Sequence, residues 1–171
     1  MHKLLRQIVR VGIRTEAPPP PDEALRQIAG RLNEEVLRLL GQALAIRHVD
    51  AGSCNGCELE IQATGNPYYN LEGLGIKFVA SPRHADLLLV TGPVSRNMEQ
   101  ALRRTYEATP DPKLVVAIGD CGCTGGIFGQ TYASCGRVAN VIPVDAAVPG
   151  CPPPPAAIMQ GILTAISVRR S

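Results

Sequence analysis

The segment Lys-Leu-Val-Val-Ala-Ile-Gly-Asp-Cys, residues 113–121, joins five consecutive apolar residues to a glycine, an aspartate and a cysteine. A second unbroken apolar run, Leu87–Val90, lies earlier in the chain. Short apolar runs of this kind are typical of parallel strands that are buried on both faces. We therefore predict strands at Asp86–Thr91 and Lys113–Gly119 as members of a parallel sheet.

The segments around these two runs alternate between strand patterns and helix patterns. The further predicted elements are strands at Leu44–Val49, Ile76–Ala80 and Val141–Val144, and helices in the segment after Cys57, at Asn97–Ala108 and at Ala156–Val168. Strands separated by helices indicate a parallel sheet that is covered by helices on both faces. The fold class predicted from the sequence is therefore α/β.

The first residues of the chain predict a short basic helix. In residues 3–14, Arg6, Arg10 and Arg14 recur every four residues and therefore share one helical face, against an apolar face. A basic amphipathic helix fits a membrane surface or the groove of a partner, and a frayed, solvated terminus is the simpler alternative. The four prolines at 18–21 then predict a stiff linker.

A second helix is predicted after this linker, with Asp22 as its N-cap and Gly41 at its end. Its apolar residues recur at helical spacing and are Leu25, Ile28, Leu32, Val36, Leu39 and Leu40. We therefore divide the chain into an N-terminal helical extension with a proline-rich linker, residues 1–43, and an α/β domain, residues 44–171.

The composition of the chain excludes several classes of protein. The 17 basic and 15 acidic residues give a net charge of +2, and aromatic residues make up 4% with no Trp, so we expect no nucleic-acid partner. The sequence has no apolar stretch of membrane-spanning length, and its N-terminus lacks the pattern of a secretory signal. We therefore expect a cytoplasmic protein, in which cysteines are more often metal ligands or free thiols than disulfides.

Four of the six cysteines lie in the segments that follow predicted strands. Cys54 and Cys57 come after the first strand, Cys121 after the fourth and Cys151 after the fifth. The loops after the carboxyl ends of parallel strands gather at one edge of an open α/β sheet, where ligands bind. We therefore expect these four thiols to meet at that edge.

The spacing of the cysteines favours an iron–sulfur cluster over a zinc ion. A structural zinc site usually takes its ligands from two Cys-x-x-Cys pairs, and only Cys54 and Cys57 form such a pair here. Ligands taken singly from separate loops suit a larger iron–sulfur group. Cys151 also precedes a proline, as in the Cys-Pro ending of cluster-binding runs. A zinc-stabilised interaction module remains the alternative from another class.

The other cysteines and a second alternative stay open at this point. Cys135 and Cys123 are expected to be small buried thiols, although the Cys121-x-Cys123 spacing would let either of these two residues bind the same iron. A flavin-binding carrier is disfavoured, because Gly92-Pro93 stands where a hydroxyl-rich phosphate loop would be needed. The sequence offers no Ser-His-Asp set and no P-loop, so we assign no catalytic residue.

Four motifs carry a resemblance to a known family. They are Ser53-Cys54-Asn55-Gly56-Cys57-Glu58-Leu59-Glu60, Ser81-Pro82-Arg83-His84-Ala85-Asp86, Gly119-Asp120-Cys121 through Gly125-Gly126, and Gly150-Cys151-Pro152-Pro153. Together they resemble the small subunit of membrane-bound, energy-converting [NiFe] hydrogenases of the formate hydrogenlyase type. The homologous subunit of respiratory complex I is also similar, but it has two adjacent cysteines where this chain has the hydrogenase spacing Cys54-x-x-Cys57.

This resemblance, which covers about residues 44–165, implies a flavodoxin-like domain with one [4Fe-4S] cluster next to the active site of a large subunit. By motif position, it implies the iron ligands Cys54, Cys57, Cys121 and Cys151. The chain would then be a non-catalytic electron-relay subunit of an oxidoreductase complex. Its implied partners are a NiFe-bearing hydrogenase large subunit, a ferredoxin-like iron–sulfur subunit and integral membrane subunits. These partners would place it peripherally on the cytoplasmic face of the inner membrane.

Four charged or titratable residues of these motifs are secondary candidates. Arg83 and His84 are candidates to tune the cluster electrostatically, and Glu58 and Glu60 are candidates for the subunit interface. Ordinary surface or salt-bridge roles would explain the same residues. The alternative within this class is the proximal-cluster subunit of a complex I-like quinone oxidoreductase or of a nickel-free hydrogenase-related complex.

Overall fold

The computed structural model describes residues 2–12, 20, 22–40 and 43–168. Its five strands are β1 (Leu44–Asp50), β2 (Ile76–Phe78), β3 (Leu87–Thr91), β4 (Leu114–Ile118) and β5 (Ala146–Val148). Its helices are α1 (His2–Val11), α2 (Glu23–Leu40), α3 (Gly56–Ala63), α4 (Arg96–Ala108), α5 (Gly119–Thr124) and α6 (Pro155–Val168). Short 3₁₀ turns lie at Leu71–Leu74, Pro82–His84 and Val138–Asn140.

The five strands form one sheet in the order β2-β1-β3-β4-β5, and every pair of neighbours is parallel. Every residue of β3 and β4 is buried. The predicted α/β fold with a flavodoxin-like parallel sheet is therefore confirmed. The chain crosses from one half of the sheet to the other between β2 and β3, which places β1 and β3 side by side.

Helices cover both faces of this sheet. On one face, α2, α3 and α6 pack over alternate strand residues such as Ile46, Leu89 and Val116. On the other face, Leu102 of α4 packs with the intervening residues, such as Val115. The strict alternation of strand residues between the two faces explains why each strand is apolar throughout.

The predicted strand at Val141–Val144 is wrong, and the fifth strand is Ala146–Val148. The chain at Val141 and Ile142 continues the 3₁₀ turn at Val138–Asn140, since the Ile142 N–H donates to the Val138 carbonyl. Both side chains are buried in the core on the α4 side of the sheet, which accounts for their apolar character. Pro143 has no N–H to donate to a ladder.

The second helix begins as predicted. The Asp22 Oδ1 accepts the N–H groups of Ala24 and Leu25, so Asp22 caps α2. Leu32 and Val36 are buried in the same core as α6, so α2 packs directly on the α/β domain. The division of the chain at residue 43 remains a prediction.

Several N-terminal predictions fall on residues that the structure does not describe. They concern Arg14, three of the four prolines at 18–21, Gly41, and the side chains of Leu39 and Leu40. The predicted first helix is present as α1, which ends at Val11, and the Gly12 N–H still donates to the Ile8 carbonyl.

Candidate functional site

Four cysteines lie in the segments that follow the carboxyl ends of β1, β4 and β5, at one edge of the sheet. Cys54 lies in the loop after β1, and Cys57 lies in the first turn of α3. Cys121 lies in α5, which begins directly where β4 ends, and Cys151 follows β5. Cys54 and Cys151 are exposed, Cys121 is half-buried and Cys57 is buried. The site therefore has one thiol in the protein interior and two at its surface.

Two of these four thiols have raised pKa values, to which the other thiols contribute. The pKa of Cys57 is raised to about 12, first by burial and then by the negative charge of Glu58 and the neighbouring Cys54, Cys121 and Cys151. The pKa of Cys121 is also raised, by burial and then by Cys151 and Cys54. Because thiolates repel one another, a positively charged group between Cys57 and Cys121 would favour the ionised form of both.

Two glycines leave room for the sulfur atoms. A Cβ on Gly119 would lie 2.6 Å from the Cys57 Sγ, and a Cβ on Gly126 would lie 2.8 Å from the Cys121 Sγ. Both glycines have positive φ angles, +81° and +56°. No side chain can therefore replace them without moving the thiol beside them, so the backbone itself forms the wall around these two sulfurs.

Two aspartates to which the sequence analysis assigned no role hold the cysteine loops in place. The Asp50 Oδ1 accepts the N–H groups of Gly52 and Ser53, which fixes the turn before Cys54. The Asp120 Oδ1 accepts the Gly150 N–H, and the Asp120 N–H donates to the Gly150 carbonyl. The second pair joins the Cys121 segment to the Cys151 loop. An Asp at a strand end, followed by Gly two residues later, is the turn signal that could have identified Asp50.

Glu58 is more deeply buried than the predicted interface role implies. It is 7% exposed, and its carboxylate oxygens have no hydrogen-bond partner among the described residues. The His48 Nε2 lies 3.7 Å from the Glu58 Oε1 and 3.1 Å from the Thr91 Oγ1. Burial lowers the pKa of His48, against the opposing effect of Glu58. Glu58 thus places a negative charge beside Cys57, while Glu60 is half-buried on the same helix.

Cys123 and Cys135 lie apart from the four thiols. The Cys123 Sγ donates to the Ala117 carbonyl at 3.6 Å and packs at the edge of the core on the α4 side. Cys135 is buried on that side of the sheet, where its Sγ lies 3.2 Å from the Glu99 Oε2. Neither residue is among the leading influences on the pKa of Cys57 or Cys121.

Arg83 and His84 are exposed in the 3₁₀ turn at Pro82–His84, which precedes β3. Asp86, just after this turn, pairs with Ala45 near the start of β1, at the opposite end of that strand from Cys54. Neither Arg83 nor His84 is among the leading charges that shift the pKa of Cys57 or Cys121. Their tuning role stays a prediction.

The donor set of this edge fits a thiolate-bound group. Cys57 and Cys121 each lie against glycine backbone that leaves no room for a side chain, and thiolates are the ligands that iron–sulfur clusters and zinc prefer. Within residues 2–12, 20, 22–40 and 43–168, no three His, Cys, Asp or Glu side chains are grouped so that they could hold a metal ion. The identity of the four ligands therefore stays a prediction.

Comparison with known proteins identifies the family. The model of the NADH ubiquinone oxidoreductase 20 Kd subunit matches residues 54–165, which include all four cysteines of this edge. The chain belongs to this family. One similar protein is the probable membrane-bound hydrogenase subunit mbhJ of Pyrococcus furiosus, which is 46% identical over 77% of this chain and 79% of its own length.

Other relatives of the chain are named as subunits either of hydrogenases or of quinone oxidoreductases. Formate hydrogenlyase subunit 7 of Escherichia coli is 42% identical over 88% of this chain and 58% of its own length. A subunit of the NADH-quinone oxidoreductase of Desulfovibrio desulfuricans is 47% identical over 63% of this chain and 58% of its own length.

A solved structure has the same fold. It is a chain of the membrane-bound sulfane sulfur reductase, an archaeal respiratory membrane complex, and it matches with a TM-score of 0.66 and 33% identity. The match covers 88% of this chain and 78% of the other. Among the helices that the structure describes here, none is both long enough and apolar enough to cross a membrane.

Proposed function

We propose that this protein is the electron-transfer subunit of a membrane-bound [NiFe] hydrogenase of the formate hydrogenlyase type. It would carry one [4Fe-4S] cluster next to the active site of the large subunit, which reduces protons or oxidises dihydrogen. The observation that carries the proposal is the placement of Cys54, Cys57, Cys121 and Cys151 after the carboxyl ends of the parallel strands β1, β4 and β5, at one edge of the sheet. The chain would contribute no catalytic residue of its own.

Cys54, Cys57, Cys121 and Cys151 would hold the cluster. A cluster of this kind accepts and releases single electrons, and the protein sets its potential through charge, hydrogen bonds and solvent access. The buried Cys57 and the adjacent Glu58 would face the protein interior, whereas Cys54 and Cys151 would face the partner. Asp120 supports this arrangement, because it ties the segment of Cys121 to the loop of Cys151.

The names of the relatives support the rest of the proposal. The hydrogenase relatives and the spacing Cys54-x-x-Cys57 favour a NiFe-bearing large subunit as the direct partner. A ferredoxin-like iron–sulfur subunit would deliver the electrons, and integral membrane subunits would anchor the complex. The protein would then lie peripherally on the cytoplasmic face of the inner membrane.

The test is anaerobic reconstitution of the full chain with iron and sulfide, followed by metal analysis. About four irons per chain, with an absorption near 400 nm, are expected for one [4Fe-4S] cluster. Replacing Cys54, Cys57, Cys121 or Cys151 by Ala should remove the cluster signal from the electron paramagnetic resonance spectrum. One zinc ion per chain, with no iron retained, would contradict the proposal and favour an interaction module.

Matched controls come from the two remaining cysteines. Cys135→Ala and Cys123→Ala should keep the iron content of the unmodified chain, because both side chains point into the core on the α4 side. If Cys123→Ala loses the cluster and Cys121→Ala keeps it, then the ligand from this segment is Cys123. Far-ultraviolet circular dichroism of each variant separates loss of the cluster from loss of the fold.

The alternative function is the proximal-cluster subunit of a complex I-like quinone oxidoreductase or of a nickel-free hydrogenase-related complex. The relatives that are named as subunits of NADH-quinone oxidoreductases favour it. Purification of the protein with its native large subunit decides between the two. Nickel in the large subunit, with hydrogen-dependent reduction of a dye, supports the hydrogenase. A nickel-free complex would contradict the hydrogenase assignment.

A further inference from the structure

Helix α1 presents two opposite surfaces, and neither is buried. Its aliphatic residues Leu4, Leu5, Ile8 and Val9 are each more than half exposed, and no residue of α1 is buried. At 3.6 residues per turn, these four side chains span about 140° of the helix circumference. They form a continuous apolar stripe on an element that the core does not use.

The opposite surface of α1 is basic. Lys3, Arg6 and Arg10 fall within about 60° of arc, centred almost opposite the apolar stripe. The sequence of α1 contains no acidic residue. The rest of the chain has one acidic residue more than it has basic ones, so α1 accounts for the net positive charge of the protein.

We infer that α1 binds the surface of an anionic lipid membrane, with its aliphatic stripe in the acyl boundary and its basic residues among the lipid phosphates. A lipid surface can contact both sides of such a helix. The aliphatic side chains enter the acyl boundary, and the long basic side chains reach the headgroups. A protein groove that covered the apolar stripe would not require basic residues on the opposite side of the helix. The charge of α1 therefore favours the lipid.

The length of α1 agrees with this inference. A helix of ten residues has little stability of its own in water. Contact of its apolar side chains with the lipid surface therefore also stabilises the helix. The inference goes beyond the relay of electrons, since lipid binding by α1 requires neither the cluster nor a partner subunit.

The experiment is co-sedimentation of the full chain with lipid vesicles. One set contains phosphatidylcholine alone, and the other contains about one third phosphatidylglycerol as the anionic lipid. The full chain should bind the anionic vesicles more tightly, and added salt should weaken this binding because it screens the charges. Each basic residue near an anionic surface is expected to contribute about fivefold to the affinity.

Two variants separate the two sides of the helix. The double variant Arg6→Gln/Arg10→Gln should bind anionic vesicles about 25-fold more weakly, and its remaining binding should show little preference for them. The double variant Leu5→Ser/Ile8→Ser should bind both kinds of vesicle weakly. The matched control is Arg31→Gln/Arg104→Gln, which removes the same charge from exposed positions on α2 and α4.

Three results would overturn the inference. They are equal binding of the unmodified chain to both kinds of vesicle, no binding to anionic vesicles at low salt, and equal losses in the α1 variant and the control. No binding at low salt would assign the apolar stripe to a protein groove instead. The iron content of the same samples is measured in parallel, so failure of the cluster proposal is distinguishable from failure of lipid binding.

Discussion

Gly119 and Cys57 are in contact across the site, because a Cβ on Gly119 would lie 2.6 Å from the Cys57 Sγ. Gly119 begins helix α5, which carries Cys121, whereas Cys57 lies in the first turn of helix α3. The closeness of backbone to sulfur explains why a glycine directly follows the strand β4. It also makes Gly119 the most direct probe of whether the site must keep its shape.

Gly119→Ala is expected to prevent cluster assembly, because the new methyl group displaces the Cys57 thiol. Positive φ at this position adds backbone strain of about 1–3 kcal/mol to the folded state. Gly129→Ala is the matched control, since Gly129 also has a positive φ but has open space around it. Both variants should lose thermal stability, and only Gly119→Ala should lose iron. Equal iron contents in the two variants would show that the contact with Cys57 is unimportant.

Asp120 is expected to control how firmly the Cys151 loop is held. Asp120→Ala removes the acceptor of the Gly150 N–H, a bond of 2.8 Å, and should cost about 1–3 kcal/mol of unfolding free energy. It should also speed the loss of iron to a chelator. Asp120→Asn keeps an acceptor oxygen, so its chelation rate should stay closer to that of the unmodified chain. If both variants lose iron at the same rate, then the charge of Asp120 matters and its hydrogen bond does not.

Glu58→Gln is expected to raise the midpoint potential of the cluster, because it removes a buried negative charge next to Cys57. The shift should be on the order of tens of millivolts, as for a unit charge in a partly buried site. Arg83→Met should lower the potential by less, because Arg83 lies in an exposed turn. Potentiometric titration followed by electron paramagnetic resonance measures both shifts. An unchanged potential in Glu58→Gln would contradict the expected influence of this carboxylate.

Glu99 is expected to make the fold sensitive to acid. Hydrogen bonds from Cys135, Arg103 and Arg96 lower the pKa of Glu99 in the folded chain. The unfolded chain therefore binds a proton at a higher pH than the folded chain, so this contribution to stability is present above pH 4.5 and disappears as the pH falls through the lowered value. In the variant Glu99→Gln, the melting temperature should fall less steeply as the pH is lowered, so its dependence on pH is flatter. Exposed Glu107→Gln on the same helix is the control, and an equal flattening there would refute the role of Glu99.

The sequence was sufficient to predict the parts of the fold that depend on burial. The runs Leu87–Val90 and Leu114–Ile118 are apolar because both faces of the sheet are covered, and the structure places them in β3 and β4. The cysteines after β1, β4 and β5 lie at one edge of the sheet, because parallel strands bring their carboxyl ends together there. Cys54 and Cys151 both contribute to the raised pKa of Cys57 and of Cys121. These predictions rest on periodicity and connectivity, which the sequence shows directly.

Other features depend on contacts between distant residues, which the sequence does not show. Val141 and Ile142 are apolar because they fill the core beside α4, so apolar character alone misidentified them as a strand. Asp120 is paired with a loop thirty residues away, and nothing in its neighbourhood along the chain indicates that partner. Glu58 is buried in the folded chain, although a charged side chain in a motif of this kind suggests an exposed position.

The two hydrogen bonds between Asp120 and Gly150 have a consequence for biogenesis. They form only after β5 has taken its place beside β4, so the thiol of Cys151 reaches this edge after those of Cys54, Cys57 and Cys121. A group held by all four sulfurs could therefore be inserted only after β5 has been synthesised and has joined the sheet.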